Sequence, residues 1–137
     1  MYKMLIATHG RMCEGILDTL KIFSNDLDHV ETIPYYVEGV DSEGMLSNYI
    51  NMIKDEDVVI VFTDVMMGSV NQAMITNMNE KNNVHIISGC NLPLILEFIA
   101  CNPDSITSEF IKEKVLDCTK SIVYMNDYEV VQNNMDE

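Results

Sequence analysis

The stretch VVIVFTDVMMGSVNQAMITNM, Val58–Met78, decides how the rest of the chain is read. Its opening run, Val58 to Phe62, is continuously apolar and mostly β-branched, the pattern of a strand buried on both faces in a central parallel position. Thr63-Asp64 ends the run, and Val65-Met66-Met67-Gly68-Ser69 turns the chain into a helix carrying Val70, Met74, Ile75 and Met78 on one face. Ser69 followed three residues later by Gln72 has capping-box spacing, which sets the start of that helix at the serine.

Outward from this centre, strand and helix patterns alternate. Lys3 to Thr8 reads as a buried first strand, followed by a helix with Cys13, Ile16, Leu17, Leu20 and Phe23 on its apolar face. Val30 to Val37 reads as a second strand; Pro34 donates no ladder hydrogen bond, so it belongs at an edge of the sheet. Asp41 or Ser42 caps a helix with the stripe Leu46, Tyr49, Ile50 and Ile53. On the far side, Val84 to Ile87 is a fourth strand. A helix begins at Asn91 or Leu92, with Pro93 in its first turn and Leu92, Ile95, Leu96 and Ile99 as its stripe. Ser105 to Lys120 carries Phe110, Ile111, Val115 and Cys118 in helical register. Ser121 to Met125 is a short strand candidate with no crossover after it, which suggests an antiparallel edge strand shared with a second subunit. The expectation is a three-layer α/β/α domain with a mainly parallel central sheet over residues 1–125, then an acidic tail, residues 126–137, with an apolar patch at Tyr128 to Val131.

Composition narrows the function. The 137 residues hold 8 Lys plus Arg against 22 Asp plus Glu, a formal charge of -14, which argues against a nucleic-acid backbone as partner. No apolar run approaches the length of a membrane span, so a cytoplasmic protein is expected. The four cysteines, Cys13, Cys90, Cys101 and Cys118, form no metal-spaced pair and read as small core residues of a reducing compartment, Cys13 being the one best placed to react. No metal and no cofactor is implied. The eleven methionines read as core filler.

In open α/β sheets chemistry gathers at the carboxyl ends of the strands. Three such ends converge here: Thr8-His9, Thr63-Asp64 with Gly68-Ser69, and Ser88-Gly89. Of the three histidines, His29 lies in a polar loop and His85 inside a strand, whereas His9 ends the first strand. A carboxylate at Asp64 would be costly to bury alone and would find a partner in that imidazole. By accepting a proton from one ring nitrogen it would leave the other bare and oriented. Gly68 and Ser69 at a helix start offer N–H groups and a hydroxyl to an anion. Together these residues suit the acceptance and donation of a phosphoryl group, which is mainly a matter of positioning.

These motifs resemble the EIIA domain of the mannose-type (mannose/fructose/sorbose) branch of the bacterial sugar phosphotransferase system. The residues that carry the likeness are His9, Gly10 and Gly15; then Asp64, Gly68 and Ser69; then Gly89, Asn91, Leu92 and Pro93. The likeness runs over residues 1–125. It departs at Met67, Val70 and Gln72, where the family usually has glycine, proline and asparagine. The resemblance implies that His9 takes a phosphoryl group from phosphorylated HPr and passes it to the cognate EIIB, with Asp64 as partner to the ring and Gly10, Gly68 and Ser69 around the phosphate. Arg11, Asn91, Leu92 and Pro93 would serve the site loops or the partners. It further implies a homodimer with an exchanged final strand, and contact with the membrane only through the transporter subunits.

Two other readings share parts of this outline. The phosphohistidine domain of a dihydroxyacetone kinase phosphotransferase subunit has the same architecture. A receiver-like signalling module would use Asp64 and Ser88, but the acidic pair it needs after the first strand is replaced by Thr8-His9. A hydrolase or mutase would need several cations around its substrate, and Arg11 is the only arginine. That shortage suits a phosphate that arrives attached to another protein.

Overall fold

The computed structural model describes residues 1–78 and 80–129. Four strands, β1 (Tyr2–His9), β2 (Val30–Tyr35), β3 (Val58–Thr63) and β4 (Val84–Ser88), alternate with helices α1 (Met12–Phe23), α2 (Ser42–Asn51), α3 (Ser69–Met78), α4 (Leu92–Ile99) and α5 (Ser108–Thr119). The strands form one sheet in the order β2-β1-β3-β4, and every pairing is parallel. The Pro34 strand β2 lies at one edge, and β3 lies inside between β1 and β4, as their sequences require.

The two-residue period of the strands divides the core in two. Met4 and Ile6 of β1, with Ile60 and Phe62 of β3, face α1, α4 and α5, where they meet Leu20, Ile95 and Phe98. Leu5, Ala7, Val59 and Val61 face α2 and α3, where they meet Leu46, Tyr49, Met74 and Met78. Phe62 and Phe98 pack edge to face at 6.0 Å between centroids, and Phe98 meets Phe110 of α5 in the same way. Truncating a fully buried phenylalanine of this kind costs about 3–5 kcal/mol. The layers are therefore held by phenylalanine and aliphatic contacts on one face and by methionine, tyrosine and aliphatic contacts on the other.

Several expectations shift by a turn or a face. Phe23 is exposed at the last position of α1. In α3 the buried stripe is Val70, Asn71, Met74 and Met78, with Ile75 turned outward. In α4 the fully covered residues are Leu94, Ile95 and Phe98, while Leu92, Leu96 and Ile99 pack at its flanks. Residues 103–105 form a separate 3-10 turn, and α5 begins later, capped by Thr107 Oγ1 on the Phe110 N–H at 3.1 Å. Met4, Met74 and Met78 fill the core, but Met12, Met66, Met67 and four other methionines are exposed, so core filling explains only a minority.

The expected final strand at Ser121 to Met125 pairs with no strand among the described residues. Ser121 closes a turn on α5 through the Cys118 carbonyl, and Met125–Asp127 is a 3-10 turn. Ile122 and Tyr124 are exposed. A strand needs a neighbour, and this segment meets none among the described residues. Of the acidic tail, including the Tyr128 to Val131 patch, residues 130–137 lie outside the described residues.

Candidate functional site

The strand order brings β1 and β3 side by side, and their following helices leave on opposite faces. This is a topological switch point, where a crevice opens beyond the carboxyl ends of the strands. His9 ends β1 and Asp64 follows β3, so the two flank that crevice.

Asp64 is drawn in from three directions. Its Oδ2 accepts the His9 backbone N–H at 2.8 Å, and its Oδ1 accepts the Val65 N–H at 3.0 Å. Both oxygens face His9 Nδ1, at 3.0 and 3.2 Å. The side chain is 10% exposed, and the imidazole is 42% exposed. Burial alone would raise the Asp64 carboxyl, but the hydrogen bonds from the His9 backbone and ring outweigh it and hold it below the usual carboxylate range. A carboxylate is acceptor-only, so Nδ1 carries the proton and Nε2 is left as the bare nitrogen.

Nε2 faces the start of α3. Ser69 Oγ lies 3.3 Å from it, and the Tyr36 hydroxyl donates to Ser69 Oγ at 2.8 Å. Helix geometry leaves the first N–H groups of α3 without intrahelical acceptors, the first such bond running from the Gln72 N–H to the Gly68 carbonyl. The capping-box spacing thus marks the correct helix start while its two side chains do other work. The Ser69 hydroxyl turns to His9, and Gln72 Nε2 donates to the Met67 carbonyl.

The Met67 turn is held from below. Met67 has φ of 62°, an uncommon conformation for a non-glycine residue. Its N–H donates to Asn71 Oδ1 at 3.1 Å, and Asn71 Nδ2 donates to Thr63 Oγ1 at 2.8 Å. Asn71 is buried, and it ties the end of β3 to the turn that carries Ser69. Gly68 sits tightly in the turn, because an added Cβ would lie 3.1 Å from the Val65 carbonyl oxygen and the turn would have to give.

Other residues singled out from the sequence have different surroundings. Gly10, at φ of 61°, gives its N–H to the Tyr35 carbonyl at 2.7 Å, and the Gly68 N–H goes to the Val65 carbonyl at 2.9 Å. Neither amide is free for an anion. Arg11 lies on the surface in a 2.8 Å bond to Glu14. Asn91 caps α4 through the Leu94 N–H, and its Nδ2 donates to Ser121 Oγ at 3.2 Å. Leu92 and Pro93 form the first turn of that helix. Cys13 is fully buried, and burial pushes the Cys90 thiol up to about 12, so it stays protonated. His85 sits part-buried in β4, with its pKa lowered by desolvation. No group of three or more His, Cys, Asp or Glu among the described residues is placed to hold a metal ion.

Two residues of the site escape a reading from pattern. Asn71 occupies an apolar slot in the α3 stripe. Tyr36 follows β2, and its place beside His9 depends on β2 pairing with β1, where Tyr35 is in register with His9.

The sequence pattern of the mannose-type EIIA family, described as the fructose IIA component of the phosphotransferase system, matches residues 3–116. The chain belongs to this family. EIIA domains of this family are phosphoryl carriers in bacterial sugar uptake, and that is the function of this chain. It is similar in structure to a candidate phosphoenolpyruvate-dependent sugar phosphotransferase system permease from Klebsiella pneumoniae, at 28% identity and a TM-score of 0.81 over 92% of both chains. A IIA protein associated with the fucose utilization operon of Streptococcus pneumoniae is similar at 27% identity, with a TM-score of 0.75 over 91% of this chain and 93% of the other. An EIIA component from Streptococcus agalactiae, at 22% identity and a TM-score of 0.72, shares the fold, covering 93% of this chain and 100% of its own. A search of curated protein sequences returns no match. Among the described residues no helix is long and apolar enough to cross a membrane.

Proposed function

We propose that His9 Nε2 is the phosphoryl acceptor of this EIIA domain, loaded by phosphorylated HPr and discharged to a histidine of the cognate EIIB in the cytoplasm. The observation that carries this reading is the orientation of one ring, with Nδ1 against the Asp64 carboxylate and Nε2 aimed at Ser69 and the start of α3. In the loading step the Nε2 lone pair attacks phosphorus in line with the donor's P–N bond. That bond breaks, its electron pair returns to the donor imidazole, and the new N–P bond forms on His9. The ring gains positive character as this happens, and Asp64 stabilises it through the Nδ1 proton. Ser69 and the unpaired N–H groups of α3 balance the phosphoryl charge. Discharge to EIIB is the same step reversed with a new acceptor. The test is labelled phosphorylated HPr with wild type and His9→Ala. Acid-labile, base-stable label is expected on the wild type alone, and label persisting in the variant would overturn the assignment.

The receiver-like alternative has little support, since Asp64 is bound on both oxygens by His9 and Val65. We also infer a homodimer in which residues 121–125 pair along the free edge of β4 in a second copy. The support is a groove of ≈ 410 Å³ between Ile86, Ile87, Ile111, Val115 and Leu116, together with an exposed apolar segment that has no strand partner among the described residues. Sedimentation of the full chain should give a dimer, and deletion of residues 121–137 a monomer. A wild-type monomer at tens of micromolar would refute it.

A further inference from the structure

We propose that Tyr36 is a positioning residue for phosphoryl transfer, acting on His9 through its ring and on Nε2 through the Ser69 hydroxyl; this rests on the reading of His9 as the acceptor. Two observations carry it independently. The first is geometric. The Tyr36 ring stacks on the His9 imidazole, with centroids 5.4 Å apart and planes 30° from parallel, while its hydroxyl donates to Ser69 Oγ. The second is conformational. Among the described residues only Tyr36 and Met67 are non-glycine residues with positive φ, both at 62°, and both flank this site.

The conformation is consistent with the contact. Ile33 and Tyr35 of β2 are buried on the face covered by α2 and α3. Continued strand geometry would send residue 36 to the opposite face, over α1. The left-handed backbone instead turns Tyr36 across the rim to α3, on the exposed surface of the site. An aromatic side chain has no intrinsic preference for that conformation, and local strain of this kind gathers where a site needs it.

The hydrogen bonds then run in one direction. Tyr36 donates to Ser69, Ser69 donates to Nε2, and Nδ1–H donates to Asp64. Because the Ser69 oxygen is already accepting from Tyr36, the serine proton is directed away from the tyrosine. In the unloaded site it points to Nε2. When a phosphoryl group arrives at Nε2, the same proton swings to a phosphoryl oxygen, so one hydrogen bond is exchanged for another and none is lost. The stacked ring keeps the imidazole plane fixed during the exchange. These contacts lie beside the turn where Met67 and Val70 replace the family's usual glycine and proline.

The test is a double-mutant cycle of Tyr36→Phe and Ser69→Ala, read as the rate of label transfer from phosphorylated HPr at saturating and at limiting donor. Tyr36→Phe keeps the ring and loses the hydroxyl. It should lower the saturated rate about tenfold, the effect of one hydrogen bond, with the half-saturating donor concentration unchanged. In the Ser69→Ala background the same change should have no further effect. Tyr36→Gly suits the backbone and removes the ring. It should slow transfer more than Tyr36→Phe and disturb the ring ¹⁵N signature of a single Nδ1–H tautomer at His9. A wild-type rate in Tyr36→Phe, or an equal loss with and without Ser69, would overturn the proposal. His9→Ala in the same assay separates the two readings. Loss of label there with unaffected Tyr36 variants removes only Tyr36, whereas label retained there removes the acceptor reading itself.

Discussion

Strand β3 is bracketed by two covered carboxylates, and they differ in what they hold. Asp57, before the strand, is 3% exposed and accepts the Lys54 N–H at 2.9 Å, with the Met1 amine 3.3 Å away. The Lys54 hydrogen bond, opposed by burial, keeps its carboxyl below the usual range. Asp64, after the strand, is nearly as covered and is also held low. By burial and ionisation the two are near equals. Their partners separate them. Asp57 gathers backbone and terminal groups and closes a turn, while Asp64 holds a half-exposed ring whose second nitrogen is presented at the rim. A buried, paired carboxylate is a structural commitment in either place. It becomes part of a site only where its partner offers a reactive atom outward.

The comparison fails most visibly if Asp64 can lose its charge at no expense. Asp64→Asn should keep the fold but slow label transfer about 100-fold, since the amide no longer fixes the tautomer or offsets the ring's growing charge; this is the usual size of losing a residue that orients a histidine. A rate within twofold of wild type would make Asp64 a turn residue like Asp57. The complementary change, Asp57→Ala, should cost about 2 kcal/mol by stranding the donors it accepts from, while the transfer rate per folded molecule stays the same. A slowed rate would mean that the two ends of β3 are coupled. Acid sharpens the contrast further. Both carboxyls have native values below their ordinary 3.8, so each contributes stability that is complete above that value and is lost as pH falls through the native one. The acid limb of urea unfolding should therefore flatten in Asp57→Ala and, separately, in Asp64→Asn. An unchanged limb in either would deny that carboxylate its native ion pair or hydrogen bonds.

The framework was legible because strands covered on both faces write themselves as apolar runs. The sequence alone marks Val58 to Phe62 as interior and the Pro34 strand as an edge, and the family's paired motifs lie at strand ends where α/β folds concentrate chemistry. The helices were harder. In LPLILEFI nearly every position is apolar, so periodicity cannot choose the buried face. In α3 a polar Asn71 takes a core position because its two hydrogen bonds are satisfied there. Tyr36 was out of reach for a different reason. Its role depends on one left-handed residue that reverses the strand's alternation, and on a neighbouring strand that is adjacent in space but remote in sequence. Ser121 to Met125 has the propensity of a strand, but propensity supplies no partner.

The Gly10 N–H bond to the Tyr35 carbonyl links the loop after His9 to the residue before Tyr36. The loop after His9 and the residue stacked on its ring are thereby joined before any other protein arrives. A carrier meets its donor and its acceptor in brief collisions, and every loop that must first be ordered subtracts from the fraction of collisions that succeed. By joining the loop after His9 to the strand end that carries its stacked neighbour, this one amide leaves less to be ordered during an encounter.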